Sequence, residues 1–578
     1  MEIMPVAEIL QGAGLNSPTF SALIPDVANY NAILFQPKGQ IEASVAGVRN
    51  RDRELAARQF AKFLEEAASR NTDLAVTPEY SMPWDVLTAA IKNGIAPGDG
   101  RLWVLGCESI KRQELEALPT DLAEHAIVLH EPLEEEADKF LDPLSYVFLA
   151  PGPNGQKRLV VLVQFKTRPM GGPDHFEVSN LQRGTRVYQL GGDGGTLRLV
   201  SLQCSDVFGF EDAHANAIYD RSLVIHIQLN PKPRQHQYRQ YREKLLGFSG
   251  DATELVCLNW AADVVEWCNG QEKPWNNICG TAWYLRPDRF DLRDDTLREN
   301  HRKGMYYTWL EHLRYHALFF NYAPAVFMIE ASKVAHIGVQ GALSQRRGPQ
   351  LRNTLVWDAA ADHWIIQEAS DDGFAGIVDE YGEAREELQQ LADSNPIFAE
   401  RVLALSSGKV GRNEDWHAVK QLDSCKIEAS EVIRRMTFCQ DTAESAREFR
   451  TARLSLFRRL MTILSTPANL PPALADLKDG FQLEWSYAAP HCNVRAAKGP
   501  ATVLYMGEQA GKSAIEEARS RLAEFLRRSA GADENPTARQ RLAVWYQDDG
   551  ELQLLDPDRY VQFDRSETDS EIDIARPG

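Results

Sequence analysis

Long apolar runs, paired cysteines and an excess of basic charge are all missing from this sequence, and each absence removes a class of protein. No apolar run approaches the roughly 18 to 20 residues a membrane helix needs, so no membrane span is expected. The eight cysteines, at positions 107, 204, 257, 268, 279, 425, 439 and 492, are scattered and form no CxxC pair. A disulfide framework or a structural zinc site is therefore not expected, and the default reading is reduced thiols in a cytoplasmic protein. The opening Met1-Glu-Ile-Met-Pro5 has no basic segment leading into an apolar run, so no secretory leader is expected. Acidic residues outnumber basic ones, 82 to 63, for a net charge of −19. Nucleic acid is an unlikely partner for such a chain, because phosphate contacts need clustered Lys and Arg.

What is present is an ordinary globular composition, 44% hydrophobic and 25% charged. At 578 residues the length suggests roughly two to four domains. Residues 1–27, with Pro5, Gly12, Gly14, Pro18 and Pro25, read as an irregular N-terminal extension. Strands and helices then alternate. Ala32–Gln36 suits a buried strand, and residues 52–69 carry apolar side chains at 56, 60, 63, 64 and 67, on one helical face. Strands are expected at 73–76, 102–105, 197–203, 223–229 and 256–259, with a hairpin of 145–150 and 159–165 turning through Pro-Gly-Pro-Asn-Gly155. Such alternation predicts an α/β fold. The pattern weakens over 340–385. Residues 385–465 read as helical, ending in a stripe of Phe449, Leu454, Phe457, Leu460, Met461 and Leu464 with arginines on the other faces. Pro467, Pro471 and Pro472 mark a linker. The expected divisions are an extension at 1–27, a main domain at 28–365, a helical region at 366–475 and a small α/β domain at 476–578 with an acidic tail. In that last domain, strands are expected at 501–506 and 541–547 around a helix at 513–528.

Three reactive residue types each follow a predicted strand: Glu79 after Leu-Ala-Val-Thr-Pro, Lys166 after Val-Leu-Val-Gln-Phe, and Cys204 after Leu-Val-Ser-Leu-Gln. Side chains just past strand ends converge on one rim of an α/β sheet, where ligands bind. A thiol, a carboxylate and an ammonium gathered there suit acyl chemistry. A free cysteine is only slightly ionised near neutral pH. A lysine lowers its pKa, a carboxylate can take its proton, and the lysine can also hold an oxyanion.

With these residues the sequence resembles the nitrilase, or carbon–nitrogen hydrolase, superfamily, which uses a Glu-Lys-Cys triad in that chain order. The resemblance covers about residues 28–340. It rests on Leu74-Ala-Val-Thr-Pro-Glu79, on the hairpin strand ending in Lys166, on Cys204-Ser-Asp-Val-Phe-Gly-Phe-Glu211, and on Glu177 seven residues before Gly184. Leu229-Asn-Pro231 and Cys257-Leu-Asn259 match two later strands. The resemblance implies a four-layer α-β-β-α sandwich and a homodimer or larger assembly. It further implies a cysteine nucleophile acting on a small non-peptide amide or nitrile, without metal or organic cofactor. Glu177 would orient Lys166 or the incoming water; Ser205 and Asn230 would line the pocket and oxyanion site. The chain departs from the family at Ser205, where an aromatic residue is usual, at Phe208-Gly-Phe-Glu211, and at Glu243-Lys-Leu-Leu-Gly-Phe-Ser249. Two alternatives stand beside this reading: a catalytically silent scaffold or regulatory protein of the same fold, and an amidase supplying ammonia to a partner.

Other motifs carry less. Asp206 reads as structural. Glu134-Glu-Glu136 is a solvated loop, since three adjacent carboxylates cannot all face one ion. Gly507-Glu-Gln-Ala-Gly-Lys-Ser513 has three residues where a phosphate loop needs four, so it reads as a turn. Gly191–Gly195 reads as a hairpin loop. His312 and His316 sit one turn apart on an expected helix without the following Glu of a zinc protease.

Overall fold

The structure is a computed structural model. It describes residues 1–134, 138–171, 175–231, 236–248, 253–261, 264–268, 271–274, 281–285, 296, 299–300, 303–310, 315–321, 323–335, 348–367, 388, 390–391, 402–403, 405–407, 444–486, 492–508 and 540–555. The chain divides into two compact units. One comprises Met1–Asp291, Met305–Tyr307 and His312–Ala369; the other comprises Leu292–Gly304, Thr308–Glu311 and Ser370–Gly578.

The first unit is built on two large mixed sheets. The nine-stranded sheet runs, from edge to edge, His363–Ile366, Gln350–Asp358, Ala325–Ala331, Tyr30–Gln36, Leu74–Met82, Leu102–Cys107, Pro143–Pro151, Lys157–Phe165 and Ile127–His130. Seven strands of the eight-stranded sheet lie wholly in this unit, in the order Glu2–Pro5, Arg186–Gly191, Arg198–Gln203, Ser222–Ile227, Thr253–Leu258, Ala282–Leu285 and Tyr315–Phe320. The central strands are buried on both faces and read as continuous apolar runs, as parallel strands covered on two sides should. The sheets meet at Gln164, whose Nε2 donates to Ser201 O at 3.0 Å and whose Oε1 accepts from Tyr188 N at 2.8 Å.

Helix Arg53–Ser69 begins where Asp52 accepts from Leu55 N, a cap that contributes about 1 kcal/mol. Its Phe60, Phe63 and Leu64 pack with Phe35, Trp103 and Leu105 of the nine-stranded sheet. Phe60→Ala would cost about 3–5 kcal/mol. The first residues are not the irregular lead-in expected. Glu2–Pro5 pairs parallel with Arg186–Gly191 and adds a strand to the eight-stranded sheet, and Val6–Gly12 is a helix with Val6 and Leu10 buried. A four-residue strand and a seven-residue helix are too short to show periodicity. The weakened pattern after 340 contains the hairpin Gln350–Asp358 and His363–Ile366. The helix expected around His312 and His316 is corrected: His316 lies in strand Tyr315–Phe320, and His312 falls outside the described residues.

In the second unit, helix Glu444–Leu464 buries Leu454, Phe457, Leu460, Met461 and Leu464, and a five-stranded sheet follows. Its strands Gly499–Glu508 and Leu542–Asp548 are parallel. The helix expected at 513–528 and all but the first two residues of the turn expected at Gly507–Ser513 lie outside the described residues. So do Glu135 and Glu136, and most of 366–443. No described helix is long and apolar enough to cross a membrane.

Candidate active site

Glu79 owes its position to a break in a central strand. Pro78 has no N–H for the ladder, and the pairing with Leu102–Cys107 shifts register between Thr77 and Met82. Tyr80 takes a left-handed φ of 56°. Gly106 makes room for the bulge: a Cβ there would strike the Pro78 carbonyl and lie 2.8 Å from Glu79 Cα. The bulge turns Glu79 into the interior, where its Oε2 accepts from Leu229 N at 2.7 Å and its carbonyl accepts from Trp260 Nε1 at 2.8 Å.

Lys166 follows the hairpin strand Lys157–Phe165 and is buried. Its Nζ donates to both carboxylate oxygens of Glu177 at 3.0 Å and lies 2.9 Å from Glu79 Oε1. Glu177 is held in turn by Met170 N at 2.6 Å and Tyr80 OH at 3.0 Å. Cys204 ends strand Arg198–Gln203 and opens a 3-10 turn at a left-handed φ of 31°, a conformation that costs a non-glycine residue energy and recurs at functional sites. Asp206 ties this turn to the lysine. Its Oδ1 accepts from Thr167 N, Thr167 Oγ1 and Arg168 N, and its Oδ2 from Gln203 N, so its part is structural.

The expected Glu79, Lys166, Glu177 and Cys204 thus converge. Ser205 is adjacent, with its Oγ donating to Arg168 O at 2.7 Å. Asn230 sits one step back: its Nδ2 donates to Gln228 Oε1 at 3.0 Å and its backbone N to Asn259 Oδ1 at 3.0 Å, which fixes the segment presenting Leu229 N to Glu79.

Three neighbours escaped the sequence reading. Asp142 is buried, with Oδ2 3.4 Å from Lys166 Nζ and Oδ1 accepting from Gln203 Nε2 at 3.2 Å. Tyr238, on helix His236–Phe248, brings its hydroxyl to 3.1 Å from Cys204 Sγ. His226 bonds Cys204 O through Nε2 at 3.0 Å, while its Nδ1 meets Gln228 Nε2 at 3.0 Å. Burial pushes the His226 pKa down to about 3, so the ring is neutral, and that tautomer donates from Nε2 and accepts at Nδ1.

The electrostatics correct one expectation. Lys166 does favour the Cys204 thiolate, but burial, helped by the Glu79 charge, wins and holds the thiol well above its ordinary value. Burial likewise raises Glu79 against the pull of Lys166. Burial works against the Lys166 charge too, yet Glu177, Glu79 and Asp142 together keep it firmly protonated. The resting site therefore holds an ammonium, a neutral thiol and a carboxylate of raised basicity, a set that moves a proton only when something displaces it.

No protein-family model matches the chain, and no curated protein matches it. Among solved structures it is similar to the glutamine-dependent NAD+ synthetase from Acinetobacter baumannii, at 10% identity over 55% of this chain and 49% of that one, with a TM-score of 0.30. The chain thus spans about half of the synthetase's length. It is also similar to an amidase of the nitrilase superfamily from Nesterenkonia, at 15% identity over 45% of this chain and 84% of the amidase, TM-score 0.27. A CN-hydrolase superfamily protein from Xanthomonas campestris matches at 11% identity over 44% and 82% respectively, TM-score 0.26. Nitrilase-superfamily proteins are therefore among its structural neighbours, while the chemistry of the site has to be taken from its own geometry.

Proposed function

We propose that this chain is a carbon–nitrogen hydrolase that cleaves a small non-peptide amide or nitrile through a thioester on Cys204. The observation that carries the reading is the buried convergence of Glu79, Lys166 and Cys204: a 2.9 Å contact joins the first two, and the thiol interacts electrostatically with both. Glu79 takes the thiol proton as Sγ bonds to the substrate carbon. The displaced electron pair moves onto oxygen, or onto nitrogen in a nitrile, held by Lys166 Nζ and the Ser205 backbone N–H. For an amide, collapse breaks the C–N bond and Glu79 returns the proton to the leaving amine; for a nitrile, Glu79 gives the proton to the nitrogen of the thioimidate, one water adds to its carbon, and collapse expels ammonia to leave the thioester. Water, deprotonated by the same carboxylate, then releases the acid and the thiol. Glu177 grips Lys166 at both oxygens and fixes its direction throughout.

A cavity of about 680 Å³ lies beside the site, lined by the residues that follow Lys166 and Cys204, among them Thr167, Arg168, Phe208 and Gly209. Arg168 and Arg183 line it together with one carboxylate, Glu211, and have no ion-pair partner among the described residues, which suits a substrate with a negative group remote from the scissile bond. The accompanying fold is a four-layer α-β-β-α sandwich followed by a helical segment and a small α/β domain, in a cytoplasmic homo-oligomer.

One observation favours the silent-scaffold reading. The Cys204 thiol is 1% exposed and capped by Tyr238, so substrate must displace that phenol. Ammonia release from a panel of amides and nitriles separates the two. The hydrolase releases ammonia from at least one class and Cys204→Ala does not. Release that survives Cys204→Ala, or none from any member while Cys204 resists every acylating probe, contradicts the proposal.

A further inference from the structure

The site holds one more carboxyl group than its chemistry uses. Glu79, Asp142 and Glu177 all face the single Lys166 ammonium, and all four groups are buried. Fully ionised, the cluster would carry an uncompensated double negative charge in a dry interior, which is prohibitively costly. Hydrogen-bond geometry shows where the imbalance lies. Two Lys166 protons are directed at the Glu177 oxygens. The third lies nearest Glu79 Oε1, at 2.9 Å, and the Tyr80 hydroxyl donates to Glu177, so Asp142 Oδ2 is left without a donor, while its carboxyl is within hydrogen-bonding reach of the Glu79 carboxyl. A carboxyl oxygen that has no donor and stands beside a second carboxylate is satisfied by one added proton, which it can donate to that neighbour.

We propose that Asp142 is a positioning residue held as a carboxylic acid, whose Oδ2 proton is shared with Glu79 Oε1. This deepens the hydrolase reading and rests on it for the role assigned to Glu79. The groups facing Asp142 are Glu79 and Tyr80 from strand Leu74–Met82, Lys166 after its hairpin partner strand, Glu177 from helix Phe176–Asn180, and Gln203 beside Cys204. Burial, then the Glu79 charge, pushes the Asp142 pKa well above the usual carboxylate range, in accord with the geometry. The shared proton leaves Glu79 with one negative charge for one task. The thiol proton moves to Glu79 and then to the leaving amine, while Asp142 keeps its own proton throughout and stops Glu79 from turning away from the thiol.

Infrared difference spectra of the full chain test this without a substrate. Wild type minus Asp142→Asn near neutral pH should show one protonated-carboxyl stretch, and Glu79→Gln should shift that band by changing its hydrogen-bond partner. No band, or a band that Glu79→Gln leaves unmoved, overturns the proposal. Alkylation of Cys204 by iodoacetamide supplies the kinetic arm. Asp142→Asn, which keeps a donor toward Glu79, should react within about twofold of wild type, and Asp142→Leu about tenfold or more slower. A faster Asp142→Asn, with its inflection at lower pH, would mean Asp142 is normally ionised and also overturns the proposal. The shared band in a protein that hydrolyses neither an amide nor a nitrile would sink the hydrolase reading alone.

Discussion

Two of the buried ionic clusters among the described residues, one in each unit, are built on opposite plans. In the second unit, Arg541 meets Asp476 through two parallel bonds, Nη1 to Oδ1 at 3.0 Å and Nη2 to Oδ2 at 3.1 Å. Its remaining N–H groups go to the carbonyls of Pro500, Ala473 and Gly499. Asp476 also accepts from Lys498 N. Charge balances and all five guanidinium protons are placed. Burial pushes Asp476 up, but the Arg541 bonds outweigh it and hold the carboxyl below its usual range. Around Lys166 the first unit does the reverse. Carboxyls exceed cations, Asp142 Oδ2 has no donor among the described residues, and the thiol is held protonated. A closed, balanced pair resists change, whereas an overcharged cluster is poised to move a proton. That difference separates a buried clamp from the cluster we propose to be catalytic.

The comparison can be broken most severely at the proposed nucleophile. Cys204→Ala should lower amide turnover by about 10⁴-fold or more, with folding unaffected in thermal melts. Next in size is the cation of each cluster. Lys166→Met and Arg541→Met should each cost about 3–5 kcal/mol in urea unfolding, because each leaves buried carboxylate behind. The two then part. Adding Asp476→Leu to Arg541→Met should recover most of the loss, since a balanced pair can be replaced by apolar packing. Adding Glu177→Leu to Lys166→Met should not, since Glu79 and Asp142 remain. Equal recovery in both would erase the distinction.

A smaller effect concerns acid. His226 is neutral in the folded chain with its pKa pushed down to about 3, against about 6.5 when unfolded. Between those values the unfolded state binds the extra proton, so stability is complete above about pH 6.5 and falls as pH drops toward about 3. The limit is about 4–5 kcal/mol for this one group. His226→Gln keeps a donor for the Cys204 carbonyl and should move the acid-unfolding midpoint to lower pH. An unmoved midpoint would remove His226 from the account. Smallest is Tyr238→Phe, which removes a hydroxyl whose hydrogen bond lowers the Cys204 pKa and should slow Cys204 alkylation by about threefold to tenfold, the worth of one modest hydrogen bond.

How much of this was legible in the sequence depended on whether the signal was local. Glu79, Lys166 and Cys204 each follow an apolar run, so linear patterns exposed those three, whereas Glu177, seven residues before Gly184, was picked out by the resemblance alone. Asp142 had a signal that went unread. The hairpin pairs Pro151 with Lys157 and Pro143 with Phe165, so its register sets Asp142 opposite Lys166, and Lys166 N does bond Asp142 O at 3.0 Å. His226, Gln228 and Asn230 alternate with Ile227 and Leu229, the period of one strand face, and form the hydrogen-bonded row behind Cys204 and Glu79. Tyr238 had no local signal. It reaches the thiol through packing between elements distant in sequence. The opening strand Glu2–Pro5 was illegible for a related reason: four residues gain their meaning only from Arg186–Gly191, far along the chain.

The most direct test of the central claim is peptide mapping by mass spectrometry of covalent adducts after the wild-type chain and Glu79→Gln are incubated with a metabolite extract. An acyl adduct confined to the peptide bearing Cys204 in wild type, and lost with Glu79→Gln, is the predicted result. An adduct on another residue, or one on Cys204 that forms equally well without the Glu79 carboxylate, would contradict it.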